Sequence, residues 1–136
     1  MVYVSRKAYF SASHRLHNPA WSEERNEAVF GKCNNPHGHG HNYEIEVTVG
    51  GLPPKETGMV IDLKKLADII EQEVIEKVDH KHLNHDVEFM KGIIPTAENM
   101  AVAFWKILKP TIHEGTLVSI KLYESENNFV EYRGEE

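Results

Sequence analysis

The chain has 136 residues, of which 40% are hydrophobic and 26% charged, proportions of an ordinary folded protein that exclude a disordered or membrane class and predict one domain across 1-136. A formal charge of -6 argues against a nucleic-acid partner, because a phosphate backbone is held by clustered Lys and Arg; an anionic small molecule needs only a few cations placed locally. Cys33 is the single cysteine, so no internal disulfide can form, the N-terminus lacks a signal-peptide core, and no apolar run approaches the ~20 residues of a membrane span. The expectation is a cytoplasmic protein with no membrane partner.

From Val2 to Leu16 the even positions Val2, Val4, Ala8, Phe10, Ala12 and Leu16 are apolar, which predicts a strand with one buried face. His14 shares that phase, where an unbonded imidazole would be costly. Asn18 to Pro36 has no sustained period and predicts a long loop of the kind that often carries function. A second strand runs from His41 to Val49, with His39, His41, Tyr43, Ile45, Val47 and Val49 in phase, and Gly50-Gly51 and Pro53-Pro54 end it. Asp62 precedes Leu63, Leu66, Ala67, Ile70, Val74 and Val78, the spacing of an amphipathic helix with Asp62 as N-cap.

"DHKHLNHDVEF", from Asp79, is a polar connector. Thr96 N-caps a second helix that offers Met100, Ala103, Phe104 and Ile107 for burial until Pro110 stops it. Thr116 to Ser125 alternates again, Asn127-Asn128 reads as a two-residue turn, and "FVEYR" returns as the fourth strand. The order ββααββ predicts an α+β fold: an antiparallel four-stranded sheet with two helices on one face.

The chemistry concentrates in "GKCNNPHGHGHNY". His39 and His41 are two apart on a strand and point to one face; if the first two strands pair, His14 can join them. Three nitrogens with an open fourth position suit a catalytic zinc site. His37 shares the spacing and is the other candidate for third ligand, although Pro36 suggests that the strand has not yet begun there. The alternative is a flexible HGHGH loop with His14 as a satisfied core histidine.

Cys33 lies six residues before His39 and could be a fourth ligand, a general base or an inert thiol. Asp79-His80 can be a carboxylate orienting an acid-base imidazole, or a solvated helix terminus; His82, His85 and His113 read as solvated. Glu124, in phase with Val118, Ile120 and Leu122, is at an exposed strand end or is held to accept two parallel N–H bonds from a guanidine-like ring edge.

Six stretches, "FSASHRL", "FGKCNNPHGHGHNY", "TGMVIDL", "VDHKHLN", "PTAEN" and "LYESENNFVEYRGE", together resemble the 6-pyruvoyl-tetrahydropterin synthases of the tunnelling-fold (T-fold) group, in the family's order and across nearly the whole chain. The resemblance implies that His14, His39 and His41 bind Zn2+, that Cys33 is the catalytic base with Asp79 and His80 as partners in proton transfer, and that Glu124 anchors the pterin ring. It places Thr96 and Glu98 close to the pterin. It also implies a lyase of tetrahydrobiopterin biosynthesis that converts 7,8-dihydroneopterin triphosphate into 6-pyruvoyl-tetrahydropterin and triphosphate. The implied assembly is a homohexamer, two stacked trimers whose sheets close into twelve-stranded barrels with sites at subunit interfaces.

Two positions depart from the family pattern: His37 stands where the animal enzymes carry Asn, and Ala97 where a second Thr is expected. Arg15, Lys32 and Lys81 are candidate cations for the triphosphate. One rival is the related 6-carboxy-tetrahydropterin synthase of queuosine biosynthesis, in which the Cys lies closer to the HxH pair; the six-residue gap here favours the pyruvoyl enzyme. A rival from another class is a non-catalytic zinc-binding module.

Overall fold

In the computed structural model, which describes residues 1–135, strands β1 (Val2–His14), β2 (His39–Gly51), β3 (Lys81–His82), β4 (Thr116–Tyr123) and β5 (Phe129–Tyr132) form one sheet of order β3-β1-β2-β4-β5. The helices are α1 (Glu23–Phe30), α2 (Leu63–Ile70), α3 (Glu76–Val78) and α4 (Ala97–Leu108), with a π-helical turn at Glu71–Ile75 that joins α2 to α3 without a break. No helix among the described residues is long and apolar enough to cross a membrane.

The Asp62-capped and Thr96-capped helices form where the sequence predicts them. The Asp62 carboxylate accepts from Lys64 N–H and the Thr96 hydroxyl from Asn99 N–H, satisfying donors that a helix start leaves unpaired. Leu66, Ile70, Val74, Ile75 and Val78 of one helical run, and Met100, Ala101, Phe104 and Leu108 of the other, are buried against Phe10, Ala12, Tyr43, Ile45, Val47, Ile120 and Leu122 of the sheet. Each of the Val, Leu, Ile, Phe and Met side chains among them contributes roughly 1.5–3 kcal/mol by leaving water. The opposite face of the sheet is polar: Ser5 bonds Thr48 at 2.7 Å, Lys7 pairs with Glu44 at 3.6 Å and Lys121 with Glu46 at 3.8 Å.

Three expectations need correction. The sheet is five-stranded and mixed rather than four-stranded and antiparallel, because β3 runs parallel to β1 through Ala12↔Lys81 and Ser13↔His82. Two residues are too few to display an alternation, so the polar connector concealed a strand.

The expected loop from Asn18 to Pro36 contains α1 and a 3-10 turn, Gly31–Asn34. Helix α1 buries only Asn26 and therefore has no apolar stripe to detect. Its supports are polar and aromatic instead. Ser22 caps it, the Asn26 amide donates to the carbonyls of Asn18 and Ser22, Trp21 stacks on Phe30 and Arg25 lies over the Trp21 ring.

The last hairpin does not turn in two residues. Tyr123 pairs with Phe129, and Glu124 N–H donates to Asn128 C=O, so residues 124–128 form the connection. In β1, burial is confined to the end the helices cover: Phe10, Ala12 and His14 are buried, while Val2 is 47% exposed.

Candidate metal centre and proton-transfer groups

The β1–β2 ladder runs in unbroken register from Val2↔Gly51 to His14↔His39, with Ala12 opposite His41. Alternation turns His14, His39 and His41 to the same face. The ring centroids of His14 and His39 are 4.8 Å apart, those of His14 and His41 5.1 Å, and those of His39 and His41 4.8 Å. One ligand atom from each of the three lies within 4.8 Å of the other two.

His14 is fully buried, and its Nδ1–H donates to Pro95 C=O at 2.8 Å, which leaves the Nε2 lone pair free. Nε2 of His14, Nδ1 of His39 and Nε2 of His41 are all buried without a hydrogen-bond partner among the described residues. Three orphaned buried nitrogens in one place are costly unless something binds them, and a cation of nitrogen-preferring type would bind all three at once. Burial holds the imidazoles of His14 and His41 below their ordinary value; in both, the nearby Glu124 charge opposes this, joined in His14 by the Pro95 bond. Both are thus biased to the neutral, ligating form.

Tyr43 continues the same face one step beyond His41. It stacks on Phe10 with centroids 4.8 Å apart, and its hydroxyl is 3.3 Å from His14 Nδ1. Burial pushes its phenol above the ordinary range, and the charges of Glu124 and Cys33 add to that. Glu124 lies one residue beyond β4, half-exposed, with Oε1 3.6 Å from His41 Nε2. His37 is exposed, its N–H donating to the Asn35 side chain at 3.1 Å, and is not part of the histidine cluster.

Cys33 is half-buried in the 3-10 turn, where its C=O accepts from Leu16 N–H at 2.8 Å. It lines a cleft with Arg15, Lys32 and His39, and with Glu23 and Glu27 from α1. Among the described residues it does not join the three histidines as a ligand.

Asp79 follows α3 and reaches β1, where Oδ1 accepts from Ser11 N–H at 2.9 Å. Oδ2 is 3.0 Å from His80 Nδ1, and His80 N–H donates to Ser11 C=O at 2.6 Å. The Ser11 bond, helped by His80 and opposed by slight burial, holds the Asp79 carboxyl below the usual carboxylate range. His80 has φ of 60°, the left-handed region, unlike any other non-glycine residue described. A side-chain-bearing residue stays there only when its surroundings impose it, and here both neighbours of its backbone are tied to β1. The imidazole itself is 82% exposed, so Asp79-His80 is an oriented pair with an accessible ring.

Within one chain these groups open into different spaces. Asp79 lines a cleft with Lys7, Tyr9, Asn42 and Tyr123, whereas His80 and Lys81 share a groove with Ser11, Gly40 and His41. Thr96 is occupied as the N-cap of α4, and Glu98 is exposed in its first turn. The "PTAEN" stretch reaches the triad through Pro95 C=O instead. Sequence reasoning missed that contact because a backbone carbonyl has no residue-type signature. It also missed Ser11, whose main chain holds both Asp79 and His80, and Tyr43, whose phase with His39 and His41 was the available clue.

A family model for 6-pyruvoyl tetrahydropterin synthase matches residues 3–135. Over 132 residues the chain is 46% identical to the 6-pyruvoyl tetrahydrobiopterin synthase of Homo sapiens, covering 97% of this chain and 91% of that one. The solved structure of Caenorhabditis elegans 6-pyruvoyl tetrahydropterin synthase superimposes with a TM-score of 0.93 at 39% identity, covering 98% of this chain and 96% of that one. Similarity to the 6-carboxy-5,6,7,8-tetrahydropterin synthase of Rickettsia bellii is lower, 29% over 150 residues, with 96% and 99% of the two chains covered. The chain belongs to the 6-pyruvoyl tetrahydropterin synthase family.

Proposed function

We propose that the protein is a zinc-dependent 6-pyruvoyl-tetrahydropterin synthase, a lyase that converts 7,8-dihydroneopterin triphosphate into 6-pyruvoyl-tetrahydropterin and inorganic triphosphate. The observation that carries this reading is the convergence of three partnerless nitrogens, on His14, His39 and His41, in a chain 46% identical to a curated synthase of that name. The whole chain forms one domain of this kind, working in the cytoplasm.

Zinc held by His14, His39 and His41 would supply Lewis-acid polarisation of the substrate's side-chain hydroxyls, which acidifies the adjacent C–H bonds. Cys33 takes the proton from carbon as general base, from the turn that lies beside His39. His80, with Asp79 fixing the ring through Nδ1, returns a proton toward the pterin. The oxidation level moves from side chain to ring, and triphosphate leaves by elimination, so the atoms balance without an external hydride carrier.

Glu124 anchors the pterin by accepting N–H bonds from its guanidine-like edge. Its place at the end of β4 beside His41 supports that role, since an anchored ring would present its side chain to the triad. Thr96 and Glu98 have a lesser part at the pterin edge, and the Thr96 hydroxyl would contribute there while capping α4.

The protein assembles as a homohexamer of two stacked trimers, each closing the long strands into a twelve-stranded barrel. Two features support this. Among the described residues the outer edge of β1 is joined only toward its C-terminal end, by β3 at Ala12 and Ser13 and by Asp79 and His80 at Ser11, and an unpaired strand edge favours closure on another copy. Cys33 lines one cleft and the Asp79-His80 pair borders others in one chain, as expected for a site completed across a subunit interface.

Incubation of the zinc-loaded protein with dihydroneopterin triphosphate, followed by mass analysis, tests the reading. It requires 6-pyruvoyl-tetrahydropterin and triphosphate. Carboxy-tetrahydropterin with acetaldehyde would reassign the chain to the carboxy reaction, and zinc binding without turnover would reduce it to a metal-binding module.

A further inference from the structure

Pairing along β1 does not stop where the strand ends. Leu83 N–H donates to Ser13 C=O at 2.8 Å, and the next residue, Asn84, continues the pattern with its side chain. Asn84 Oδ1 accepts from Arg15 N–H at 2.8 Å, and Asn84 Nδ2 donates to Arg15 C=O at 2.8 Å. A carboxamide that meets both main-chain groups of one residue does what a neighbouring strand would do.

Arg15, Leu16 and His17 then each hold the turn that carries Cys33. Arg15 Nε–H donates to Asn34 C=O at 2.9 Å, Leu16 N–H donates to Cys33 C=O at 2.8 Å, and His17 Nδ1 lies 2.8 Å from Asn34 Oδ1. The turn needs these supports because it spans only four residues, Gly31–Asn34, and none is buried. It has no apolar anchor and no ladder of its own.

We infer that Arg15 and Asn84 are positioning residues that set the Cys33 thiol relative to the histidine triad. The inference rests on the reading of Cys33 as the base. Arg15 directly follows the triad member His14, so its main chain is a fixed reference for the centre. Asn84 belongs to the segment that also carries Asp79 and His80. One short hydrogen-bonded path therefore joins that segment, the end of β1 and the cysteine turn. Arg15 also lines the Cys33 cleft, where its charge is available to an anionic substrate group; Arg15→Lys keeps the charge and loses the planar fork that reaches Asn34.

The test compares zinc-loaded Arg15→Lys and Asn84→Ala with the unsubstituted protein. A displaced base slows chemistry without weakening ground-state binding. Turnover of dihydroneopterin triphosphate is expected to lose kcat on the order of 10–100-fold, with KM and zinc content changed less than about twofold. Alkylation of Cys33 by iodoacetamide, which needs no pterin chemistry, is expected to change in rate by several-fold in both variants. Unchanged alkylation overturns the inference, as does a raised KM at constant kcat in Arg15→Lys, which would make Arg15 a substrate-charge contact. If Asn84→Ala does not fold, Arg15→Lys decides alone. If the unsubstituted protein turns over no pterin, the proposed function fails, and the alkylation rates still decide whether the two residues place the thiol.

Discussion

His14, His39 and His41 project from two strands of 13 residues in continuous register, backed by the helices, whereas Cys33 and His80 sit on a 3-10 turn and a left-handed residue at the end of a helix. His14 is fully buried and His80 is 82% exposed. The difference follows from the two jobs proposed for them. Ligands to an ion must be placed to within a fraction of an ångström and are best set by a rigid ladder. Groups that move protons must reach a substrate from several directions, which favours turns held by discrete hydrogen bonds.

The largest effect should come from the rigid region. His39→Ala should abolish stoichiometric zinc binding, read by metal analysis, and lower turnover by about 10^3-fold or more, the equivalent of the several kcal/mol that Lewis-acid polarisation supplies. Full activity with no bound metal would remove the triad from the mechanism.

The turn-borne groups should separate metal from chemistry. Cys33→Ala is expected to keep its zinc while turnover falls by about 10^2-fold or more, the usual range for a general base. Loss of zinc in parallel would make the thiol a ligand and erase the distinction between the two regions. Asp79→Asn should be milder, about tenfold in kcat, because an amide oxygen can still accept from Ser11 N–H while the carboxylate charge that faces His80 Nδ1 is lost. A pH profile unchanged in that variant would deny the pair its proton-handling role.

The smallest expected effect is on stability, and its sign follows from the buried rings. Burial lowers the folded-state values of His14 and His41 from 6.5, so the unfolded chain takes up protons first. Their contribution is present above about pH 6.5 and is lost as pH falls through the lowered folded values. Thermal unfolding of zinc-free protein should therefore show Tm falling below that pH. Zinc at 100 times its Kd should add about 2.7 kcal/mol at neutral pH and lose that gain on acidification, because protons compete for the same nitrogens. A zinc-free Tm that rises on acidification would contradict the assignment of these two histidines as buried and neutral.

Much of the architecture was legible from local pattern. Alternation located the long strands, and the Asp62 and Thr96 caps with their apolar stripes located the two large helices, because those elements are stabilised by one buried face whose period the chain displays. Helix α1 was not legible, since it buries Asn26 and no apolar stripe. Neither was β3, whose two residues join the sheet because Asp79, His80 and Leu83 are bonded to β1.

The histidine cluster could be named from residue type and spacing, whereas the family, and with it the roles expected of Cys33, Asp79 and His80, came from the resemblance of six stretches; all of these are linear in the chain. Their relation in space was decided by tertiary structure. That His14 faces His39 depends on the register of strands separated by 24 residues. The tautomer of His14 depends on Pro95 C=O, 81 positions away. The setting of Cys33 depends on Arg15 and, through it, Asn84. These are main-chain and long-range hydrogen bonds, which no local period or residue type announces and which form only when the sheet and helices have already brought their partners together.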